Sequence, residues 1–426
     1  MSKELSFKER MKLMMVRHRE RALPHSIIAL VILAIPFFGH HWYFSASVPS
    51  DTRPDNVEYR MSMVGDMMMG RHVHDAAVRT GEHIDRVFDY VHPFFHESDY
   101  VTGNFEAPVM NVADPEIDAQ VEDAELHNKD IHLYAEPWSM DALVNAGFDS
   151  VNFANNHTLD YGDLSLQQTL EHIRQYEDDI DTVGIGDALK LSDDEIAEGA
   201  REAAGVSYFD INDDVRVGLI GFTDSFVQGF SAQDYVGGVF TPSYQGFAEL
   251  RQRLLEAKMP EEEGGGGADI TMVHVHWGDE YQVGYNDRQE ILAQYMTNYG
   301  ADIIIGHHSH VLEPVKIMEG RDDHRSLVMF SLGNFVFDQG WTRTKESTIA
   351  QLDFLDDGSK RMSFVPMFIE DTRPRETAGW TKFYRDYRIF RTLRQELDEN
   401  IWTVEDGRLN VDLNAAGVLE GVDITP

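Results

Sequence analysis

The stretch Ala301–Pro314, ADIIIGHHSHVLEP, joins a run of apolar residues to a glycine and then to three histidines. A short apolar run that ends at a glycine is typical of a buried strand, so we predict a strand over Ala301–Ile305. In an open α/β sheet, ligands bind in the crevice beyond the carboxyl ends of the strands. His307, His308 and His310 therefore indicate either a histidine-rich polar loop or one wall of a metal site.

Apolar runs of the same kind alternate with helical patterns along most of the chain. The predicted strands are Tyr59–Val64, Asp99–Gly103, Ser150–Phe153, Val215–Gly221, Ile270–Trp277, Ala301–Ile305, Leu327–Leu332, Thr348–Phe354 and Met362–Phe368. The predicted helices include Pro137–Ala146, Leu164–Tyr176, Tyr244–Lys258 and Asp287–Tyr299. This alternation predicts a layered α/β fold.

The composition excludes several kinds of site and partner. The 426 residues include no cysteine, so any metal must be held by His, Asp, Glu or Asn. Asp and Glu number 74 against 36 Lys and Arg, which gives a net charge of −38. Because such a charge repels nucleic acid, we expect no nucleic-acid partner. The acidic surface is suited to salty surroundings, and attraction of cations is the alternative.

The N-terminal residues differ in charge from the rest of the chain. Residues 1–25 contain seven Lys or Arg and three Glu, and no charged residue lies between Arg21 and Asp51. Ser26–Phe44 is 19 residues long, enough for one helix to cross about 30 Å of bilayer, and the basic leader predicts a cytoplasmic N-terminus. A signal peptide cleaved near Ser45, Ala46 and Ser47 is the alternative.

The predicted organisation follows from this anchor. It comprises a cytoplasmic leader at 1–25, a transmembrane anchor at 26–44, a linker at 45–57, a main extracellular domain at 58–370 and a C-terminal extension at 371–426. We expect the protein to be located in the cell membrane, which its chain crosses once.

Polar residues lie at or just beyond the ends of six of the predicted strands. They include Asp66, Glu106, Asn155, Asn156, His157, His274, His276, the three histidines above, and Asn334. Taken singly, such an Asp is usually a turn residue or a helix cap, and such a His is usually a hydrogen-bonded core residue. Together they form a thiol-free set of oxygens and imidazoles, which suits Mn, Fe or Zn.

Each residue type has a use in such a site. Asp66 and Glu106 would neutralise a divalent cation, and Asn156 would add an amide oxygen. A bound metal lowers the pKa of its water to about 7 and clamps a phosphoryl or carbonyl oxygen. His157 is a candidate to protonate a leaving group, and Asp160, three residues later, is a candidate to orient that imidazole.

Six motifs in this order resemble a known family. They are GDMMMGR, GNFEAPV, NFANNHTLDYG, HVHWGDEY, GHHSHVLEP and FSLGNFVFDQGWTRT. The chain is similar over nearly its whole length to the CapA/PgsA family of bacterial capsule proteins, which are membrane-anchored components of poly-γ-glutamate synthases. The resemblance implies a calcineurin-like metallophosphoesterase fold, an α/β/β/α sandwich of four layers with its site at the strand ends.

The resemblance also implies a set of metal ligands. Asp66 matches the first metal aspartate, and Glu106 takes the place of the bridging aspartate. The remaining matches are Asn156, His157, His276, His308 and His310, and His307 has no matching ligand position. Metallophosphoesterases usually open with Asp-x-His, but Met67 and Met68 follow Asp66 here, so one ligand is missing and the site holds one or two ions.

Arginine and aromatic residues near these motifs are candidates for substrate binding. Arg71 and Arg343 each carry a guanidinium, which binds phosphate or carboxylate through two parallel hydrogen bonds. Trp341 lies beside Arg343 in the same loop motif. The alternative for Arg71 is a charge on a helix surface.

Two functions remain open from the sequence. The chain is either a non-catalytic subunit that supports PgsB- and PgsC-like membrane subunits and binds the poly-γ-glutamate chain, or a metal-dependent hydrolase or transferase acting on a phosphoryl or amide bond. The sequence contains no glycine-rich ATP-binding loop with a lysine, so we do not expect it to be the ligase itself.

Overall fold

The computed structural model describes residues 6–44, 52–225, 227–242 and 246–424. The chain divides into two compact units, Met1–Val48 with Ala378–Phe383, and Pro49–Thr377 with Tyr384–Pro426. The described part of the first unit is helical. Among the described residues, no helix combines the length and the apolar character that crossing a membrane requires. The predicted anchor at residues 26–44 therefore has no support from the structure.

Eighteen strands form in the described part of the chain. They are β1 Val57–Met67, β2 Tyr100–Phe105, β3 Ser150–Asn152, β4 Asp181–Val183, β5 Ile185–Gly186, β6 Ser207–Asn212, β7 Val215–Thr223, β8 Gly238–Val239, β9 Ile270–His276, β10 Ile303–His307, β11 Val315–Glu319, β12 Arg325–Met329, β13 Asn334–Val336, β14 Glu346–Leu355, β15 Lys360–Glu370, β16 Arg373–Glu376, β17 Trp402–Glu405 and β18 Arg408–Asp412.

Twelve α-helices form in the same described residues. They are α1 Phe7–Glu20, α2 Ala22–Phe44, α3 Arg71–Thr80, α4 His92–His96, α5 Pro115–Ala124, α6 Trp138–Ala146, α7 Gly162–Gln175, α8 Asp193–Ala197, α9 Gly246–Lys258, α10 Asp287–Asn298, α11 Lys382–Leu393 and α12 Leu413–Ala416. The predicted mixed α/β fold is confirmed.

The strands of the second unit form two large sheets. Sheet A has the order β17-β18-β15-β14-β1-β2-β3-β4, with β13 beside β1 and β16 beside β15. Sheet B has the order β11-β12-β10-β9-β7-β6, and β5 pairs with β8 separately. Strands β1 to β4 are parallel, as are β7, β9, β10 and β12, while β14 runs antiparallel to β1. The C-terminal strands β17 and β18 belong to sheet A.

Three apolar clusters hold these layers together, because successive strand residues point to opposite faces. Ile303 and Ile305 of β10 pack in a cluster with Met61 and Met63 of β1, which lies between the two sheets. Ile304 belongs to another cluster, which joins sheet B to α9 and α10. A third cluster joins sheet A to helices that include α6 and α7. The order of layers is therefore helices, sheet A, sheet B, helices.

The strand register places polar residues in rows at one end of the sheets. In sheet A, Asp66 pairs with Asn104 of β2 and with Asn334 of β13. In sheet B, His307 of β10 pairs with His276 of β9. Because these strands are parallel, their carboxyl ends meet at the same edge.

A close approach of two glycines lets the chain cross from sheet B to sheet A. Gly333 follows β12, has a φ of 67°, and accepts a hydrogen bond from the Asp66 amide at 2.9 Å. A Cβ on Gly65 would lie 1.9 Å from the Gly333 oxygen, so only glycine fits there. The predicted strand Leu327–Leu332 consequently ends at Met329, and β13 begins in the other sheet.

Candidate metal centre

Asp66 lies at the end of β1 and is fully buried. Its Oδ1 accepts a hydrogen bond from Asn104 Nδ2 at 2.8 Å, and its Oδ2 accepts one from the His308 amide at 3.1 Å. Nδ1 of His310 lies 3.6 Å from the same Oδ2. The carboxylate is thus held in one orientation by donors from both sheets.

Glu106 follows β2 and is also fully buried, but neither of its carboxylate oxygens has a hydrogen-bond partner. Three imidazole nitrogens surround its Oε1. Nε2 of His276 lies at 3.7 Å, Nε2 of His310 at 3.8 Å and Nε2 of His157 at 3.9 Å. A buried carboxylate without partners is costly, because it has lost water without gaining a hydrogen bond. This geometry leaves the carboxylate ready for a cation.

The candidate histidine ligands are held by neighbouring polar groups. Nε2 of His276 lies 2.8 Å from Asn156 Oδ1, and Nδ1 of His310 lies 2.9 Å from Asn334 Oδ1. His308 and His310 have φ values of 88° and 58°, which residues other than glycine adopt rarely. Such strain persists only where the surrounding structure enforces it, as is common at functional sites.

Among the residues that the structure describes, two overlapping sets of side chains offer closely spaced ligand atoms for a metal ion. One consists of Glu106, His276 and His308, and the other of Asp66, Glu106 and His310. The ligand atoms of each set lie within 4.8 Å of one another. The unpartnered oxygens of Glu106 and the unpartnered Nδ1 of His308 fit a divalent cation, since hard oxygens with imidazoles suit Mn, Fe or Zn.

The electrostatics of the cluster agree with that fit. Burial raises the pKa of Glu106 well above its usual value, and the charge of Asp66 adds to this despite nearby His310. Burial lowers the pKa of His276 strongly and that of His308 to about 3. Burial alone would lower the pKa of His310, but the charges of Glu106 and Asp66 raise it to about 9. A cation bound here would compete with protons for the same ligand atoms.

His157 is positioned by two charged residues. Its Nδ1 lies 2.7 Å from Asp160 Oδ2, and Lys129 Nζ lies 3.1 Å from the same nitrogen. Lys129 also donates to Asp160 Oδ1, and Asp160 Oδ2 accepts from the Leu133 amide at 2.7 Å. Burial lowers the pKa of His157, although Asp160 opposes the shift. This shift favours the neutral imidazole, whose Nε2 lies 3.9 Å from Glu106 Oε1.

A buried series of polar contacts connects Asp66 to residues between the two sheets. Nδ1 of His307 lies 3.5 Å from Asp66 Oδ1, and its Nε2 lies 2.9 Å from His274 Nδ1. Nε2 of His274 lies 2.9 Å from Thr102 Oγ1, which accepts a hydrogen bond from Ser150 at 2.8 Å. His307 thus contacts the candidate ligand Asp66 and links it to the space between the sheets.

The candidate substrate-binding residues lie outside this cluster. Arg71 forms a two-point ion pair with Asp338, at 2.6 and 3.1 Å, so its guanidinium is already engaged. Trp341 is exposed and packs edge-on against Tyr281 at 4.9 Å, and Tyr281 lies 5.7 Å from the His310 ring. Arg343 is also exposed.

Comparison with known proteins identifies the family. A family model described as bacterial capsule synthesis protein PGA_cap matches residues 60–339. The chain belongs to the PGA_cap family. The family match contains Asp66, Glu106, the candidate histidines and Lys129, whereas Arg343 lies beyond it. The predicted family resemblance is confirmed.

Two relatives of this PGA_cap family member are similar over almost their full length. "Capsule biosynthesis protein CapA" of Bacillus anthracis is 34% identical over 99% of this chain and 94% of that protein. "PGA biosynthesis protein CapA" of Bacillus subtilis (strain 168) is 36% identical over 99% of this chain and all of that protein. A crystal structure titled as a novel phosphatase from Mycoplasma pneumoniae has a TM-score of 0.36 and 11% identity, covering 75% of this chain and 92% of that one. A similarity this low supports no conclusion.

The fold thus brings most of the sequence-predicted residues of this family member together. Asp66, Glu106, Asn156, His157, His276, His308 and His310 share one buried cluster, with Asp160 behind His157. The sequence prediction included His274 among the polar residues at strand ends but gave it no role in the site, and it omitted Lys129. Lys129 is the only Lys or Arg between Asp114 and Asp130, and that isolation in an acidic segment is the signal that would have found it.

Proposed function

We propose that this chain is an extracytoplasmic subunit of a poly-γ-glutamate synthase whose main domain holds a divalent metal in a metallophosphoesterase-like site. The names of the two CapA relatives support the process, and their identity of 34% and 36% extends over 99% of this chain. The observation that carries the metal proposal is the buried carboxylate of Glu106, which has three imidazole nitrogens within 3.9 Å and no hydrogen-bond partner.

The ligands would come from both sheets. Asp66 and Glu106 would supply the negative charge, and His276, His308 and His310 would supply nitrogens, with Asn156 beside them. When bound, such a metal supplies Lewis acidity and a water of lowered pKa. Because Met67 and Met68 are buried in the apolar cluster outside sheet A, they add no ligand, and one or two ions fit the set.

A metal-dependent hydrolase acting on the polymer or its precursor is the second candidate. It is favoured by the arrangement of Asp160, Lys129 and His157, which orients an imidazole towards the carboxylate of Glu106. A general acid or base needs this kind of support to hold one ring nitrogen free for the substrate. In this reading His157 would exchange a proton with the leaving group through Nε2.

The experiment compares Asp66→Ala and His157→Ala for polymer output in cells, with His72→Ala as a control on an exposed histidine. Loss of polymer in Asp66→Ala alone favours a structural or binding role for the metal. Loss in both variants favours catalysis. Normal output from Asp66→Ala would reject the metal proposal, and metal analysis of the purified chain provides the direct measurement.

We also propose that PgsB- and PgsC-like membrane subunits are its partners and that residues 26–44 anchor it in the cell membrane. Support for the anchor comes from the sequence, in which 19 uncharged residues follow a basic leader. Alkaline extraction of membranes and co-purification with the synthase test it. Release of the protein from the membranes into the alkaline extract would contradict the anchor. Purification without other subunits would contradict the proposed partners.

A further inference from the structure

Positively charged side chains are concentrated on one surface of this acidic protein. We define the basic track as Arg343, Lys345, Arg375, Arg385 and Arg388, which lie after β13, on β16 and on α11. Only 36 Lys and Arg are present against 74 Asp and Glu. A cluster of five cations therefore stands out from a surface that otherwise repels anions.

Acidic residues neutralise only part of this charge. Glu346, which is buried, lies 2.6 Å from Arg388 Nε. Glu370 lies 3.5 Å from Arg375 and 3.4 Å from Arg385. Glu346 and Glu370 thus pair with three of the five cations of the basic track.

Two further carboxylates, those of Asp371 and Asp89, are engaged by other arginines. Asp371 pairs with Arg86 at 2.8 Å, and Arg373 lies 3.6 Å from both Asp371 and Asp89. Asp371 and Asp89 are thus paired with arginines outside the basic track.

Aromatic rings lie beside three of the cations of the basic track. The guanidinium of Arg385 lies 3.6 Å from the Phe368 ring, and Lys345 lies 5.1 Å from the same ring. Arg375 stacks on Tyr90 at 4.2 Å, and its Nε is buried without a hydrogen-bond partner. A stacked guanidinium keeps its edge available for carboxylates and loses little rotamer freedom when one binds. The rings therefore preorganise the basic track for carboxylates.

The basic track begins close to the candidate metal centre. Arg343 adjoins Thr344, whose carbonyl oxygen accepts a hydrogen bond from Asn334 Nδ2 at 3.1 Å. Oδ1 of Asn334 in turn lies 2.9 Å from Nδ1 of His310. Thr344, the residue next to Arg343, is thus linked through Asn334 to the candidate metal ligand His310.

We propose that the basic track binds a polymer with closely spaced carboxylates and directs it towards the metal centre. The identification of this polymer as poly-γ-glutamate depends on the proposed function, and the recognition of carboxylates depends on the arginines alone. The track supplies attraction that the acidic body lacks, since like charges repel the polymer elsewhere.

The test measures binding of a short fluorescent poly-γ-glutamate oligomer to the full-length chain, in chelator and at low salt. Arg343→Gln with Arg375→Gln removes two track cations. Arg251→Gln with Arg321→Gln is the matched control, because those arginines also lie over an aromatic ring, that of Tyr299. We expect at least tenfold weaker binding for the track variant and less than a twofold change for the control. Arg343→Gln alone, at an exposed position, should weaken binding about threefold and cannot act through unfolding of a buried contact.

Equal binding by all variants would overturn the proposal, and so would binding by the wild-type chain that disappears in chelator. Vesicles of phosphatidylglycerol and phosphatidylcholine form the second arm. A variant that loses only vesicle binding would show that the basic track serves an anionic membrane, which also overturns the proposal. Because the measurement needs no metal, it stays informative if the metal proposal fails.

Discussion

The carboxylate oxygen Oε1 of Glu106 lies 3.8 Å from Nε2 of His310, with both side chains buried. That distance is too long for a hydrogen bond and suits two ligand atoms that share one cation, since metal–ligand bonds are about 2.0–2.2 Å long. The relationship joins sheet A to sheet B at the edge where their parallel strands end. A cation there would therefore stabilise the packing of the sheets as well as create a reactive site.

Glu106→Gln tests this arrangement by keeping the shape of the side chain and removing its charge. We expect Mn²⁺ or Zn²⁺ binding at least tenfold weaker by titration calorimetry, because a ligand charge is lost. The melting temperature in chelator should stay the same or rise, since a buried carboxylate without partners is replaced by a neutral amide. Glu58→Gln, at an exposed position, is the control. Unchanged metal affinity in Glu106→Gln would reject the metal centre.

Thr102→Val tests the buried chain that supports Asp66. The substitution keeps the volume but removes the hydroxyl between His274 and Ser150, so it leaves His274 Nε2 without a partner. We expect a loss of about 1–3 kcal/mol in the free energy of unfolding, measured with urea. Thr403→Val, on an exposed strand position, should change it by less than about 0.5 kcal/mol. Equal effects at the two sites would mean that the buried hydrogen bonds of Thr102 add no stability.

Asp353→Asn tests the ion pair that is buried deepest in sheet A. Asp353 accepts hydrogen bonds from Arg60 at 2.6 and 2.9 Å, and neither side chain is exposed. Removing the charge leaves a buried guanidinium without compensation, so we expect a loss of about 3–5 kcal/mol in stability by chemical denaturation. Asp55→Asn at the exposed surface provides the comparison. A loss below about 1 kcal/mol would indicate that water or the Thr52 carbonyl, which accepts from Arg60 at 2.8 Å, compensates.

Glu313→Gln tests a predicted dependence of stability on pH. Glu313 is fully buried; its Oε2 accepts from Gln289 at 2.8 Å, and burial raises its pKa from 4.5 to about 8. Between these values the unfolded chain releases the proton and the folded chain keeps it. Stability therefore falls as pH rises through this window and is lowest above pH 8.

The variant lacks this proton, so its stability should change less with pH and exceed that of the wild type at pH 9. The expected gain is on the order of a few kcal/mol, at about 1.4 kcal/mol per pKa unit. Denaturation from pH 5 to 9 in chelator measures it, with Glu319→Gln at an exposed neighbouring position as the control. Parallel curves for Glu313→Gln and wild type would contradict the raised pKa.

Local patterns in the sequence predicted the elements and the identity of most cluster residues. The helix predicted at Asp287–Tyr299 forms over Asp287–Asn298, and the strand predicted at Ala301–Ile305 forms over Ile303–His307. Such elements follow from apolar periodicity, which depends on neighbours within a few positions. The same patterns placed Asp66 and His308 near strand ends, because each is a polar residue that comes shortly after an apolar run.

Only the tertiary structure decided which of these residues meet. Asp66 and His308 are 242 positions apart, and their hydrogen bond depends on how the two sheets pack. The engagement of Arg71 by Asp338, the support of His157 by Lys129 and the gathering of arginines around Glu346 are of the same kind. Contacts of this range arise from strand register and layer packing, to which every residue of the core contributes. No short stretch of sequence contains that information.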